Sequence, residues 1–225
     1  EALQLKLNEL NAASTNVPPL TTGATEGVAP NATPGALPAL EEADEDGWAF
    51  ALYTSTYLQQ SDRDYFQPTI TADRGWLHLE GRFNYEAIDT GSAWVGWNLG
   101  AGDRFTWALT PMFGAVFGDT NGMAPGYHGL LGWRRLELYS EGEYIVDAED
   151  STGNFFYNWS EFTFAPVDSF WFGIVTQRTR AYQTEHEIQR GLLAGFSYQR
   201  VDIIGHVFNP DDAAPTVVVA VRVGF

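Results

Sequence analysis

Residues 216–225 alternate in a way that only an extended chain can use. Val217, Val219, Val221, Val223 and Phe225 share one face, with Thr216, Ala220, Arg222 and Gly224 among those on the other. A helix would scatter the two sets around its surface. A strand separates them, so its apolar side and its small or polar side require different surroundings.

The same period of two recurs from Trp48 onward, punctuated by Gly, Asn, Asp and Ser. It predicts twelve strands, at 48–59, 65–72, 76–88, 92–100, 105–118, 127–134, 135–147, 154–164, 169–180, 189–198, 200–208 and 216–225. Most have the roughly 9 to 11 residues that a tilted strand needs to cross a bilayer, and no apolar run approaches the about 20 residues of a membrane helix. Pro68 and Pro111 each remove a ladder donor, so a bulge or a strand end is expected at both.

Residues 1–47 read differently. Pro18, Pro19, Pro30, Pro34 and Pro38 stand among Ala, Thr, Gly and Asn, and the stretch runs into the acidic segment 41–46. Such a composition offers too little apolar surface to offset the entropy of ordering, so a flexible extension is expected. Leu3, Leu5, Leu7 and Leu10 suit a short helix over 1–13 that needs a partner to persist. The division is then an extension at 1–47 and a strand-built domain at 48–225. The start carries no basic-then-apolar leader, as expected of a mature chain or one whose signal has been removed.

Cysteine is absent, which removes disulfide, zinc-finger and thiol-nucleophile chemistry. A net charge of −17 excludes nucleic acid as a partner, because phosphate contacts need clustered Lys and Arg. Lys6 is the only lysine. Every other cation is Arg, whose planar fork suits fixed pairs with carboxylates, although high-GC coding bias explains the same preference. The aromatic share of 15%, with Gly 23 and Trp 8, is high for a soluble protein of 225 residues.

The closing strand with its final Phe225 resembles that of bacterial outer-membrane β-barrel proteins of the porin-like class. The resemblance implies an all-β fold: a transmembrane up-and-down antiparallel β-barrel of about 12 strands, with a mostly disordered N-terminal extension. It also implies residence in the bacterial outer membrane, contact with its lipid and lipopolysaccharide, and recognition of Val217, Val219, Val221, Val223 and Phe225 by the barrel-assembly machinery. An even strand count puts both barrel ends on one side, so with Phe225 at the periplasmic rim the N- and C-termini are both periplasmic. Tight connections on that side hold Trp76, Phe105, Trp133, Phe170 and Tyr198 at one level, as an interfacial aromatic girdle requires. The opposite connections are short and acidic. They read as solvated turns, or as bridges through divalent cations to lipopolysaccharide.

Strand 76–88 shows the two faces best: Leu77, Leu79, Gly81, Phe83 and Tyr85 on one, His78, Glu80, Arg82, Asn84 and Glu86 on the other. A soluble sheet reads the same over one strand. Repetition along the chain, the girdle and the closing strand decide for an apolar exterior. A lipid-facing Arg near the bilayer centre costs about 2–4 kcal/mol, so the charges are placed inside. The same rule turns Glu137, Tyr139, Glu141 and Glu143 inward with Leu136, Leu138, Gly142 and Tyr144 outward. It turns Glu161 inward with Phe162 and Phe164 outward, and Asp202 and His206 inward with Val201, Ile203 and Val207 outward. Trp94, Asn98, Thr106, Thr110 and Met112 line the wall, Arg222 joins from the closing strand, and His128 falls near the outer end of its strand. The strands at 127–134, 169–180 and 189–198 carry apolar residues on both faces and leave their parity open.

Twelve strands enclose more room than eight and less than the sixteen or more of wide porins, so the lumen is expected to be narrow. Its carboxylates attract cations, which gives a narrow porin-like channel favouring cations or small polar solutes. Alternatively Arg82 and Arg222 pair with these acids and close the lumen. That leaves a non-conducting structural or accessory barrel that anchors its periplasmic tail, or a periplasmic or membrane protein bound through 1–47. A soluble ligand-binding barrel would need the faces reversed. No cofactor and no metal site is expected, since alternate residues such as Glu185, His186 and Glu187 need not converge in a loop. Nor is an enzyme expected: His186, Asp211 and Asp212 supply no nucleophile and base in defined register.

Overall fold

The computed structural model describes residues 47–59, 63–149, 153–178 and 188–225. The extension at 1–46 with its expected helix lies outside the described residues, as does His186. The described residues form β1 (Ala49–Leu58), β2 (Tyr65–Arg74), β3 (Leu77–Phe83), β4 (Thr90–Trp97), β5 (Leu99–Gly102), β6 (Phe105–Gly118) and β7 (Gly122–Trp133). They continue with β8 (Leu136–Asp147), β9 (Phe155–Val167), β10 (Phe170–Arg178), β11 (Ile188–Tyr198), β12 (Val201–Phe208) and β13 (Thr216–Gly224). Each strand pairs antiparallel with its neighbours in the ring. β1 pairs with β13 and β4 with β6, so the sheet closes on itself. Gly96 opposite Met112 and Leu99 opposite Leu109 keep one register against β6, so β4 and β5 are a single strand interrupted at Asn98. The result is an up-and-down barrel of twelve strand positions, a fold of the transmembrane type.

The prolines sit where one ladder can spare a donor. Pro68 pairs with Thr54 on β1, and pairing of β2 with β3 starts only at Thr69. Pro111 pairs with Tyr127 on β7, and on its other side the β4–β5 interruption falls. Pro125, opposite Phe113, lies where the β7–β8 register passes from Met123 to Gly126. Because this stretch is rich in Gly and Pro, it hides the early start of β7 from a reading of alternation.

One end of the barrel is made of tight turns, in which Gly75, Arg134 and Gln199 take positive φ of 54°, 57° and 56°. The other end carries longer connections, including 84–89 and 209–215. On the outside, Leu131, Leu138, Phe162, Ile174, Leu192 and Val207 are successive cross-strand partners on β7 to β12. All are exposed except the half-buried Val207. This belt is what acyl chains require of a barrel wall. Facing inward, Trp171 lies on Gly195 of β11 and Trp94 on Gly114 of β6. A Cβ at either glycine would stand only 2.2 Å or 2.4 Å from the indole above it.

An Ile174→Arg substitution at the middle of β10 is expected to destabilise the folded barrel in lipid by about 2–4 kcal/mol. Urea titration of refolding into lipid vesicles reads the change directly.

Candidate functional site

Alternation along β3 delivers His78, Glu80 and Arg82 to the interior, where all three are buried. The His78 ring is held on both sides, with Nδ1 at 2.8 Å from Asp73 Oδ1 and Nε2 at 3.0 Å from Glu80 Oε2. Asp73, at the end of β2, is itself fixed by the side-chain amide of Asn98 at 2.7 Å. Asn98 in turn accepts the Thr110 hydroxyl at 2.7 Å.

Arg82 donates from Nε to Glu80 and from Nη1 to Glu143 Oε2 on β8 at 2.7 Å. Its Nη2 stands 3.3 Å from His128 Nε2 on β7. The guanidinium lies 4.2 Å over the Tyr85 ring and 4.6 Å over the Trp94 ring. β3 and β8 are separated around the wall by β4, β6 and β7, so the Arg82–Glu143 pair spans the interior as a chord. A second link crosses nearby, where Glu141 accepts hydrogen bonds from the hydroxyls of Tyr85, Tyr139 and Tyr157.

Two further groups line the wall. Glu161 on β9 accepts the Trp159 indole N–H at 2.9 Å and faces His206 Nε2 of β12 at 2.9 Å. Arg222 stands 3.7 Å from Asp202 on the adjacent strand. Of the two interior arginines among the described residues, therefore, one reaches across the barrel and the other pairs along the wall. An internal space of about 80 Å³ remains beside them, lined by Ala51, Tyr53, Ser55, Thr69 and Thr71 of β1 and β2 and by His78, Glu80, Glu141, His206 and Arg222. The interior is not wholly polar: Trp94, Met112, Val116, Ala124, Ile145 and Phe155 pack together inside β4 and β6 to β9.

Glu86, Tyr139, Glu143, Glu161, Asp202 and His206 are buried within the ring, while Glu137, Glu141 and Arg222 are half-buried. Three positions differ from expectation. Asn84 belongs to a turn: at φ 57° its side chain accepts the Asp89 N–H at 2.8 Å and donates to Phe66 O at 2.9 Å. That turn ends β3 at Phe83 and resets the alternation, so Tyr85 points inward to Glu141 instead of outward. His128, expected near a strand end, is buried in the middle of β7, because the strand begins at Gly122. The residues the sequence left unassigned are Asp73, Tyr157 and Trp159. Asp73 shares the parity of Gln67, Thr69 and Thr71, which was the available signal.

Trp76, Phe105, Trp133, Phe170 and Tyr198 are exposed beside the tight turns. On β13, Val219 is exposed while Val218 and Ala220 are buried. Asp211 is exposed and 3.2 Å from Arg190.

A ring closed by hydrogen bonds, apolar on its outer belt and charged within, has the fold of a transmembrane β-barrel. Solved structures similar to this chain are a KdgM porin and a KdgM porin in complex with disordered oligogalacturonate. Each aligns with a TM-score of 0.55 at 11% identity, over 78% of this chain and 99% of the other. The likeness is one of fold. No family model matches the chain, and no curated protein matches it.

Replacing Arg82 by Met leaves Glu80 and Glu143 buried without their cation, which is expected to cost about 3–5 kcal/mol. Adding Glu143→Gln to Arg82→Met is expected to recover part of that loss. Urea unfolding in detergent, followed by tryptophan fluorescence, measures both.

Proposed function

We propose that this barrel sits in the outer membrane and conducts small polar solutes through a narrow lumen, cations ahead of anions. The observation that carries the reading is the space along β1 and β2. Tyr53 Oη and Arg222 Nη1 lie in residues that line it, and neither atom makes a hydrogen bond to the described protein. Buried polar atoms of this kind are satisfied by water, and a hydrated path is the minimum a polar solute needs. Asp73, Glu80, Glu86, Glu141, Glu143, Glu161 and Asp202 outweigh Arg82 and Arg222 inside the ring. That balance favours positive or neutral solutes. It argues against a polyanion such as the oligogalacturonate found with one KdgM porin.

A second reading is a non-conducting barrel that anchors the extension at 1–47 or a protein bound to it. It is favoured by the Arg82–Glu143 chord, which occupies the lumen. Planar-bilayer recording of the full chain under a potassium chloride gradient separates the two. The channel reading expects small unitary steps that reverse toward the potassium potential, with Glu141→Gln moving the reversal toward zero. A silent bilayer, or reversal on the chloride side, overturns it.

Both termini face the periplasm in this proposal, and the longer connections face the cell exterior, next to lipopolysaccharide. The tight turns and terminal strand lie at the inner rim, where the assembly machinery meets the chain. Since the chain has no cysteine, single replacements report orientation cleanly. A membrane-impermeant maleimide on intact cells is expected to label Asp119→Cys and to spare Asp168→Cys. The reverse pattern would invert the topology.

A further inference from the structure

We propose that His78, Glu80 and His128 form a binding site for a divalent transition metal, zinc above all, inside the barrel. Their ligand-type atoms lie within 4.8 Å of one another, and all three residues are buried. Alternation along β3 puts His78 and Glu80 on the same face, and His128 approaches from β7, with β4 and β6 between them around the ring. Glu80 Oε2 is 3.0 Å from His78 Nε2 and 3.7 Å from His128 Nε2. Ligand atoms about 2.0–2.1 Å from a tetrahedral zinc stand roughly 3.3 Å apart, so small rotations of these side chains close the shell.

A second feature fits the arrangement of a metal-ligating histidine. Ligating histidines commonly donate their second ring N–H to a carboxylate, which fixes the tautomer and aims the other nitrogen. Asp73 does this at His78 Nδ1, at 2.8 Å, and is itself held by Asn98. The three residues also border the internal space together with Glu141, whose Oε2 is 3.7 Å from His128 Nε2. This leaves an open position for water or for the Glu141 carboxylate. Two imidazoles and a carboxylate select zinc, copper or nickel over calcium and magnesium, which prefer all-oxygen shells.

The competitor for the site is Arg82, whose Nη2 stands 3.3 Å from His128 Nε2. A guanidinium and a metal cannot share that nitrogen. Metal binding therefore requires Nη2 to withdraw, and Glu143 and Glu86, 2.7 Å and 3.8 Å from Nη1, are placed to hold the displaced charge.

The test is titration of the full chain in detergent with zinc chloride, read by calorimetry, followed by X-ray absorption on the zinc-loaded protein. One saturable zinc per chain is expected, removable by a chelator, with no comparable uptake of calcium chloride. The absorption spectrum is expected to show a nitrogen and oxygen shell with scattering from two imidazoles. His78→Ala and His128→Ala are expected to weaken binding at least tenfold, and Asp73→Asn about 10–100-fold, the range for a lost outer-shell partner. No saturable binding, a spectrum without imidazole, or unchanged affinity in a folded His128→Ala barrel would each overturn the site. If the histidine variants fail to fold, the spectrum of the unaltered protein still decides.

Discussion

The hydrogen bonds between β1 and β13 close the ring, and the other features of the fold depend on that closure. They run from Ala51 opposite Gly224 to Leu58 opposite Val217, and the ends are tied by reciprocal bonds between Phe50 and Phe225 at 3.0 Å and 2.9 Å. In hydrocarbon no water can satisfy a free strand edge, so an open sheet of this composition would have no stable place in a bilayer. Closure also fixes what each side chain meets. Once the sheet is a cylinder, odd and even positions of every strand are committed to lipid or to the interior, and a one-residue slip would exchange the two sets. The prolines obey the same constraint, each placed where a neighbouring ladder has already paused.

Inside the cylinder the controlling interaction is Arg82. Each buried ion costs several kcal/mol to desolvate, and that cost is offset only when the geometry supplies enough partners. Arg82 has Glu80 beside it, Glu143 across the barrel, and two aromatic faces in contact with its guanidinium. Around it, the apolar group of Trp94 and Ile145 packs inside β6 to β9, a second group of Trp159, Trp171 and Phe208 packs inside β9 to β12, and the small side chains of Ala51, Ser55, Thr69 and Thr71 border the internal space.

Much of this was legible because lipid imposes a simple rule. Strand positions, the inward set on β3, β8 and β12, and the exposed aromatics beside the tight turns all follow from period-two alternation and turn chemistry. The misreadings share one cause: alternation fails wherever the backbone leaves the extended conformation or loses its side-chain signal. Asn84 at φ 57° broke the count and turned Tyr85 inward. The stretch from Gly122 to Gly126 has so few side chains to compare that alternation alone places the start of β7 too late and His128 near a strand end. Pairing of Arg82 with the interior acids is legible, but which acids it meets across the lumen, Glu143 among them, has no sequence signature. That depends on which strands face one another once the ring has closed.

The outer belt and the hydrogen-bonded wall of this barrel answer only to lipid, which any sequence that alternates correctly satisfies. The interior carries no such obligation. Here it places carboxylates around one bridging arginine, with three tyrosine hydroxyls directed at Glu141. Those hydroxyls hold the charge of Glu141 at a fixed point on the edge of the internal space. What distinguishes this interior is therefore set by a few side chains on β3, β7 and β8, on a wall that many unrelated sequences can build.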